Sequence, residues 1–86
     1  MSGFLLIDFT SAEKLKFDQQ LKLDLAVDHS RELRARDQWV AIEVTPTDVS
    51  LRYGSILPDG TMKNKIATRT YDICNGQVHY TTFVHP

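Results

Sequence analysis

Two residues, Asn75 and Gly76, constrain the C-terminal end of this chain more tightly than any other feature of it. A two-residue type I′ turn needs positive φ at both central positions, and Asn-Gly is the dipeptide that supplies them. Alternating residues flank the pair on both sides, so the register follows. Cys74 opposes Gln77, Ile73 meets Val78, Tyr71 meets Tyr80 and Ala67 meets Val84. Arg69 against Thr82 is the one polar pair on that face. The other face carries Asp72 against His79 and Thr70 against Thr81. A mainly apolar and a mainly polar side describe a sheet with one face covered.

A second hairpin is nearly as well specified. Val40, Ile42 and Val44 alternate with Trp39, Ala41 and Glu43, and Val49, Leu51 and Tyr53 follow in the same rhythm. The break between them, Thr45-Pro46-Thr47-Asp48, is rich in turn-forming residues. Closing the hairpin across it pairs Val44 with Val49, Ile42 with Leu51 and Val40 with Tyr53. All three pairs are apolar and share a face, so turn length and register agree.

Upstream, periodicity and propensity disagree. From Leu15 to Val27 six of the seven odd positions are apolar, interrupted only by Gln19. Lys, Asp and Gln fill most of the even ones. A strand would gather the leucines on one face, whereas a helix would scatter them. Leu, Lys and Gln nevertheless form helices more readily than strands. Giving the period priority, the chain reads as mostly β. The expected form is a small antiparallel barrel or sandwich of five to six strands with at most one short helix. Giving propensity priority, it reads as α+β, with one long helix over about residues 11–37 packed on a three- to four-stranded antiparallel sheet.

Shorter signals fill the gaps. Phe4 to Phe9 reads as a short strand buried on both faces, and Ser11 and Glu13 as caps of a helical turn. His29 to Gln38 reads as a polar crossover, either a loop or a short helix. Leu57-Pro58-Asp59-Gly60 has proline and glycine where a type I turn prefers them, and leads into a loop at Met62 to Lys65.

Composition bounds the function classes. With 86 residues and no linker or repeat, residues 1–86 are expected to form one domain. A core this small is marginal, and oligomerisation is a common remedy. Cys74 is the only cysteine, so no internal disulfide is available. That favours a reducing compartment: the cytoplasm, or the host cytoplasm for a viral chain. A net charge of -1 gives no global electrostatic case for nucleic acid or an anionic membrane. No signal peptide is legible, and no apolar run approaches the ~20 residues of a membrane span.

The chemistry-bearing residues are sparse. There is no Gly-rich phosphate loop, no G-x-S-x-G, no H-E-x-x-H and no C-x-x-C. Asp28-His29-Ser30 holds three triad residue types, but chain neighbours do not converge as a triad must. Cys74, His79 and His85 could suggest a metal. Extended residues six apart, however, lie about 20 Å from each other. The expectation is no metal and no cofactor, with His79 facing Asp72 and His85 in a frayed tail.

The candidate binding residues are Arg31, Arg34 and Arg36, which form the one arginine cluster, together with Trp39 and Phe83. Glu32 and Asp37 interleave with the arginines, as in a solvated, locally paired loop. If Val40, Ile42 and Val44 face the core, Trp39 points the other way, where an aromatic commonly anchors an interface. Phe83 falls on the polar face of its hairpin. These features point to a non-enzymatic protein–protein interaction module that self-associates. A small viral or mobile-element accessory protein or an assembly subunit has this profile. The alternative is a nucleic-acid-binding small β-barrel that uses the arginine-rich crossover. An oligonucleotide-binding groove would need aromatics and cations on one face, and Trp39, Arg52 and Phe83 are the available pieces. A third reading, a small enzyme or ligand-binding barrel, would need a pocket beside Glu43, Asp72 or His79.

Overall fold

A computed structural model describes residues 11–61 and 66–85. The strand expected at Phe4 to Phe9 and the loop expected at Met62 to Lys65 lie outside the described residues. Over the described residues the chain has the α+β form: one helix, α1 (Ser11–Arg34), packed on an antiparallel sheet. The strands are β1 (Gln38–Val44), β2 (Val49–Ser55), β3 (Ala67–Cys74) and β4 (Gln77–Val84). They lie side by side in chain order, β1-β2-β3-β4. The sheet is open, so the β-rich character holds while the closed barrel does not.

The alternating segment from Leu15 to Val27 is helix, not strand, and burial shows why the period misleads. The line that α1 buries runs Lys22, Ala26, Ser30 and Leu33, at helical spacings of four, four and three. Residues two apart on a helix sit about 200° apart around its axis, so Leu21 and Leu25 fall on one flank of the buried line and Leu23 and Val27 on the other. Leu21, Leu23, Leu25 and Val27 are half-buried there, and Phe17, opposite the buried line, is 58% exposed. The small side chains of Ala26 and Ser30 let the helix settle close to the sheet. Lys22 lays its aliphatic stem along that contact and donates from Nζ to the Thr47 carbonyl at 3.1 Å.

Local terms favour the helix as well. No Gly or Pro occurs within it, and Val27 and Thr-free surroundings leave little β-branched crowding. Lys14 pairs with Asp18 at 3.1 Å, and Gln20 donates to Asp24 at 2.8 Å, both one turn apart. Glu13 sits in the first turn and Arg31 and Arg34 in the last, each complementing the helix dipole. Asp37, at φ 59°, turns the chain into β1.

The two hairpins take the registers read from sequence, from Val44↔Val49 to Val40↔Tyr53 and from Cys74↔Gln77 to Ala67↔Val84. Asn75 and Gly76 hold φ of 53° and 76°. Thr45 Oγ1 accepts the amides of Thr47 and Asp48 at 3.3 and 2.9 Å, which closes the first turn. Gln19 Nε2 donates to the Thr45 carbonyl at 2.7 Å, so α1 and that turn are tied together. At the third turn, Gly60 N–H donates to the Leu57 carbonyl at 2.8 Å. Asp59 accepts from the Thr61 hydroxyl and amide at 2.7 and 3.0 Å, bonds that hold its carboxyl below the usual carboxylate range.

The core joins Ala26 and Leu33 of α1 to Val49, Leu51 and Tyr71 of the sheet. A helix is about 10–12 Å across, while four strands at about 4.8 Å spacing are wider than that. One helix therefore covers only part of the sheet. It lies over β1 and β2 and reaches β4 least of all the strands.

Candidate functional site

β4 is where the incomplete cover shows. On the helix side its residues are Val78, Tyr80, Thr82 and Val84. Of these only Val78 is half-buried, and Tyr80 and Val84 are 48% and 68% exposed. On the far side Phe83 is 61% exposed. Among the described residues β4 is also an edge strand, eight residues long, with no Lys, Arg, Asp, Glu or Pro in it. Charges, proline and a covering element are the usual guards of a free edge. The opposite edge, β1, carries Glu43 and lies beneath α1.

Beside this edge, between α1 and β3, lies an aromatic cluster. His29 Nδ1 is 2.7 Å from the Tyr71 hydroxyl, and the His29 ring meets Tyr80 edge-on at 4.9 Å. The Arg69 guanidinium lies between two rings, 5.0 Å from the centroids of both Tyr53 and Tyr80. Arg69 makes no ion pair among the described residues, and its Nε is buried without a hydrogen-bond partner there. The rings offset part of the cost of holding that cation at a half-buried position. Burial first, and the Arg69 charge second, push the His29 imidazole below its ordinary value of 6.5. Burial raises the Tyr71 phenol above 10.0. A neutral imidazole and a protonated phenol make this a packing and recognition surface at neutral pH. The cluster was visible in the sequence only as Arg69 against Thr82 and Tyr71 against Tyr80. That His29 completes it required knowing that its segment is helical.

The sequence-derived binding residues fall in two places. Arg31, Arg34 and Arg36 are exposed at the end of α1 and in the turn after it, with Arg31 3.5 Å from Asp28. Trp39 and Phe83 lie on the face of the sheet opposite α1, on the two edge strands of the described sheet. Arg52 does share the aromatics' face, in one row with Ala41, Thr68 and Phe83, and approaches Glu43 at 3.5 Å. Trp39 is half-buried opposite Gly54, and its indole Nε1 is buried without a hydrogen-bond partner among the described residues.

Asp28, His29 and Ser30 diverge around the helix: Asp28 to Arg31, His29 to Tyr71, Ser30 into the buried line. His79 lies opposite Asp72. His85 is held rather than frayed: its amide donates to the Ile66 carbonyl at 2.9 Å, and its Nε2 lies 3.0 Å from Thr68 Oγ1. No group of three metal-ligating side chains occurs among the described residues. A groove of about 600 Å³ lies between the first half of α1 and the β1–β2 turn, lined by Leu15, Leu23, Val44 and Pro46 among others. Among the described residues Lys16 is its one charged group, and the rest of that lining offers mainly apolar contact. A smaller space near Ser55 and Val84 likewise lacks Glu43, Asp72 and His79. No described helix is long and apolar enough to cross a membrane. Comparison with protein-family models, curated proteins and solved structures found no match.

Proposed function

We propose that this chain is a non-enzymatic protein–protein interaction module that self-associates through the part of its sheet that α1 leaves uncovered. The observation that carries the reading is β4: among the described residues it is an edge strand without a charged residue or proline, with Tyr80, Phe83 and Val84 exposed. Large apolar side chains grouped beside unpaired backbone are what an association surface supplies and what a lone domain avoids. A second copy would bury them and enlarge a core of few residues. The exposed thiol of Cys74 suits a reducing compartment such as the cytoplasm, or the host cytoplasm if the chain is viral.

Light scattering across a concentration series tests the reading. The expected result is a mass of twice the 9.8 kDa chain, falling toward the single chain on dilution. A single-chain mass at every concentration would end it.

One observation favours a second reading, binding of single-stranded nucleic acid on the face opposite α1. Trp39, Arg52 and Phe83 share that face, as a stacking platform requires. Oligonucleotide binding whose affinity falls steeply with salt would support it, and absence of binding at low salt would remove it.

A further inference from the structure

We propose that the second copy joins at β4 in one register: two β4 strands antiparallel, with Thr81 of each chain on the two-fold axis. This rests on the self-association reading and adds its surface and geometry.

The register follows from backbone directions. His85 N–H donates to the carbonyl of Ile66, the residue directly opposite it. In an antiparallel ladder such bonded pairs alternate with unbonded ones. Phe83, Thr81, His79 and Gln77 therefore turn their N–H and C=O toward β3. Val78, Tyr80, Thr82 and Val84 turn theirs outward, to the edge that no described strand pairs. A two-fold axis at Thr81 sets Val78 against Val84 of the second copy and Tyr80 against Thr82 of the second copy. All four outward residues of each chain are then used, giving eight main-chain hydrogen bonds across the seam. A typical protein interface carries about 10 ± 5 direct hydrogen bonds, so the edge supplies a normal complement by itself. Moving the axis by one residue either way leaves outward groups of Val84 or Val78 without a strand partner.

The side chains agree with that register. On the helix side it pairs valine with valine and tyrosine with threonine. On the other face Thr81 meets Thr81, and His79 meets Phe83. Aromatic pairs and threonine pairs are among the favourable cross-strand combinations. No acidic or basic residue lies in β4, so like charges never oppose each other. The occupant argued for is a second copy because one uncharged strand satisfies itself throughout. Two protomers so joined form one eight-stranded sheet with both helices on the same side, an isologous arrangement.

Thr81 is an unbonded pair across the new seam, where Cα atoms approach to about 4.5 Å, inside the range a disulfide accepts. The test is Thr81→Cys in a Cys74→Ser background, oxidised mildly, beside His79→Cys in the same background. Two His79 residues would lie about 13 Å apart in this register, too far to bridge. The expected result is a covalent dimer from Thr81→Cys and none from His79→Cys. Thr82→Pro provides a second readout. It removes an outward N–H while leaving the β3 ladder intact, as prolines on edge strands do. Its circular dichroism should be unchanged, and its association at least tenfold weaker. If light scattering shows a dimer but His79→Cys cross-links, or Thr82→Pro associates normally, the register is overturned and self-association stands. If the parent chain is monomeric, the function reading fails with it.

Discussion

Replacing Ala26 by Leu and Phe17 by Ser, in separate proteins, asks whether residues 11–34 are packed as a helix. Ala26 is wholly buried, in one cluster with Val49, Leu51 and Tyr71. Three further carbons must displace the sheet or the helix, and overpacking of this kind costs about 1–3 kcal/mol. In a domain of this size each kcal/mol lowers the melting temperature by about 4–8 °C. Ala26→Leu should therefore melt at least about 4 °C below the parent, and up to about 24 °C below it. Phe17, 58% exposed on the opposite side of the helix, has little to lose. Phe17→Ser should stay within about 0.5 kcal/mol of the parent, as surface substitutions do. Thermal unfolding followed by circular dichroism at fixed protein concentration gives both values. An extended segment would put Phe17 inside and Ala26 outside, and the ranking would reverse. A Phe17→Ser protein that melts below Ala26→Leu would refute the helical packing.

Other expectations follow from the same structure. The folded state holds the His29 imidazole below its ordinary pKa of 6.5, so the unfolded chain takes up that proton first. Stability is full above pH 6.5 and falls as the pH drops below it. His29→Gln should flatten the curve in that window, and an unchanged slope in urea titrations would contradict the assignment. Tyr71→Phe removes the 2.7 Å hydrogen bond to His29 and should cost about 0.5–1.5 kcal/mol, with no loss meaning that the contact contributes nothing. Replacing Asn75-Gly76 by Val-Val forces β-branched residues to φ of 53° and 76°. At about 1–2 kcal/mol per left-handed residue, it should lower stability by about 2–4 kcal/mol, and unchanged melting would argue against the turn.

Both hairpins were legible because a turn signal and an alternating pattern independently gave the same register. The Thr45–Asp48 and Asn75-Gly76 turns leave one pairing that keeps valines, leucine and tyrosines on one side. The helix was legible only in propensity. Its buried line is Lys-Ala-Ser-Leu, which no hydrophobicity pattern marks, and Leu21, Leu23 and Leu25 occupy the flanks. Alternation from Leu15 to Val27 was real but arose from two flanks sampled in turn. The site divides in the same way. Trp39 and Phe83 were placed on the correct face by strand register, and so was the polar pair that betrays Arg69. The cluster around His29 was not legible, since it depends on a helix crossing strands more than forty residues away. The scant cover that α1 gives β4 was not legible either, because it follows from where the helix crosses the sheet.

Amide hydrogen exchange along β4, at high and at low protein concentration, tests the central claim most directly. The account predicts that His79, Thr81 and Phe83, bonded to β3, are protected at both. Val78, Tyr80, Thr82 and Val84 should be protected only at high concentration and exchange freely on dilution. Rapid exchange of those four in a sample shown to be dimeric would contradict it.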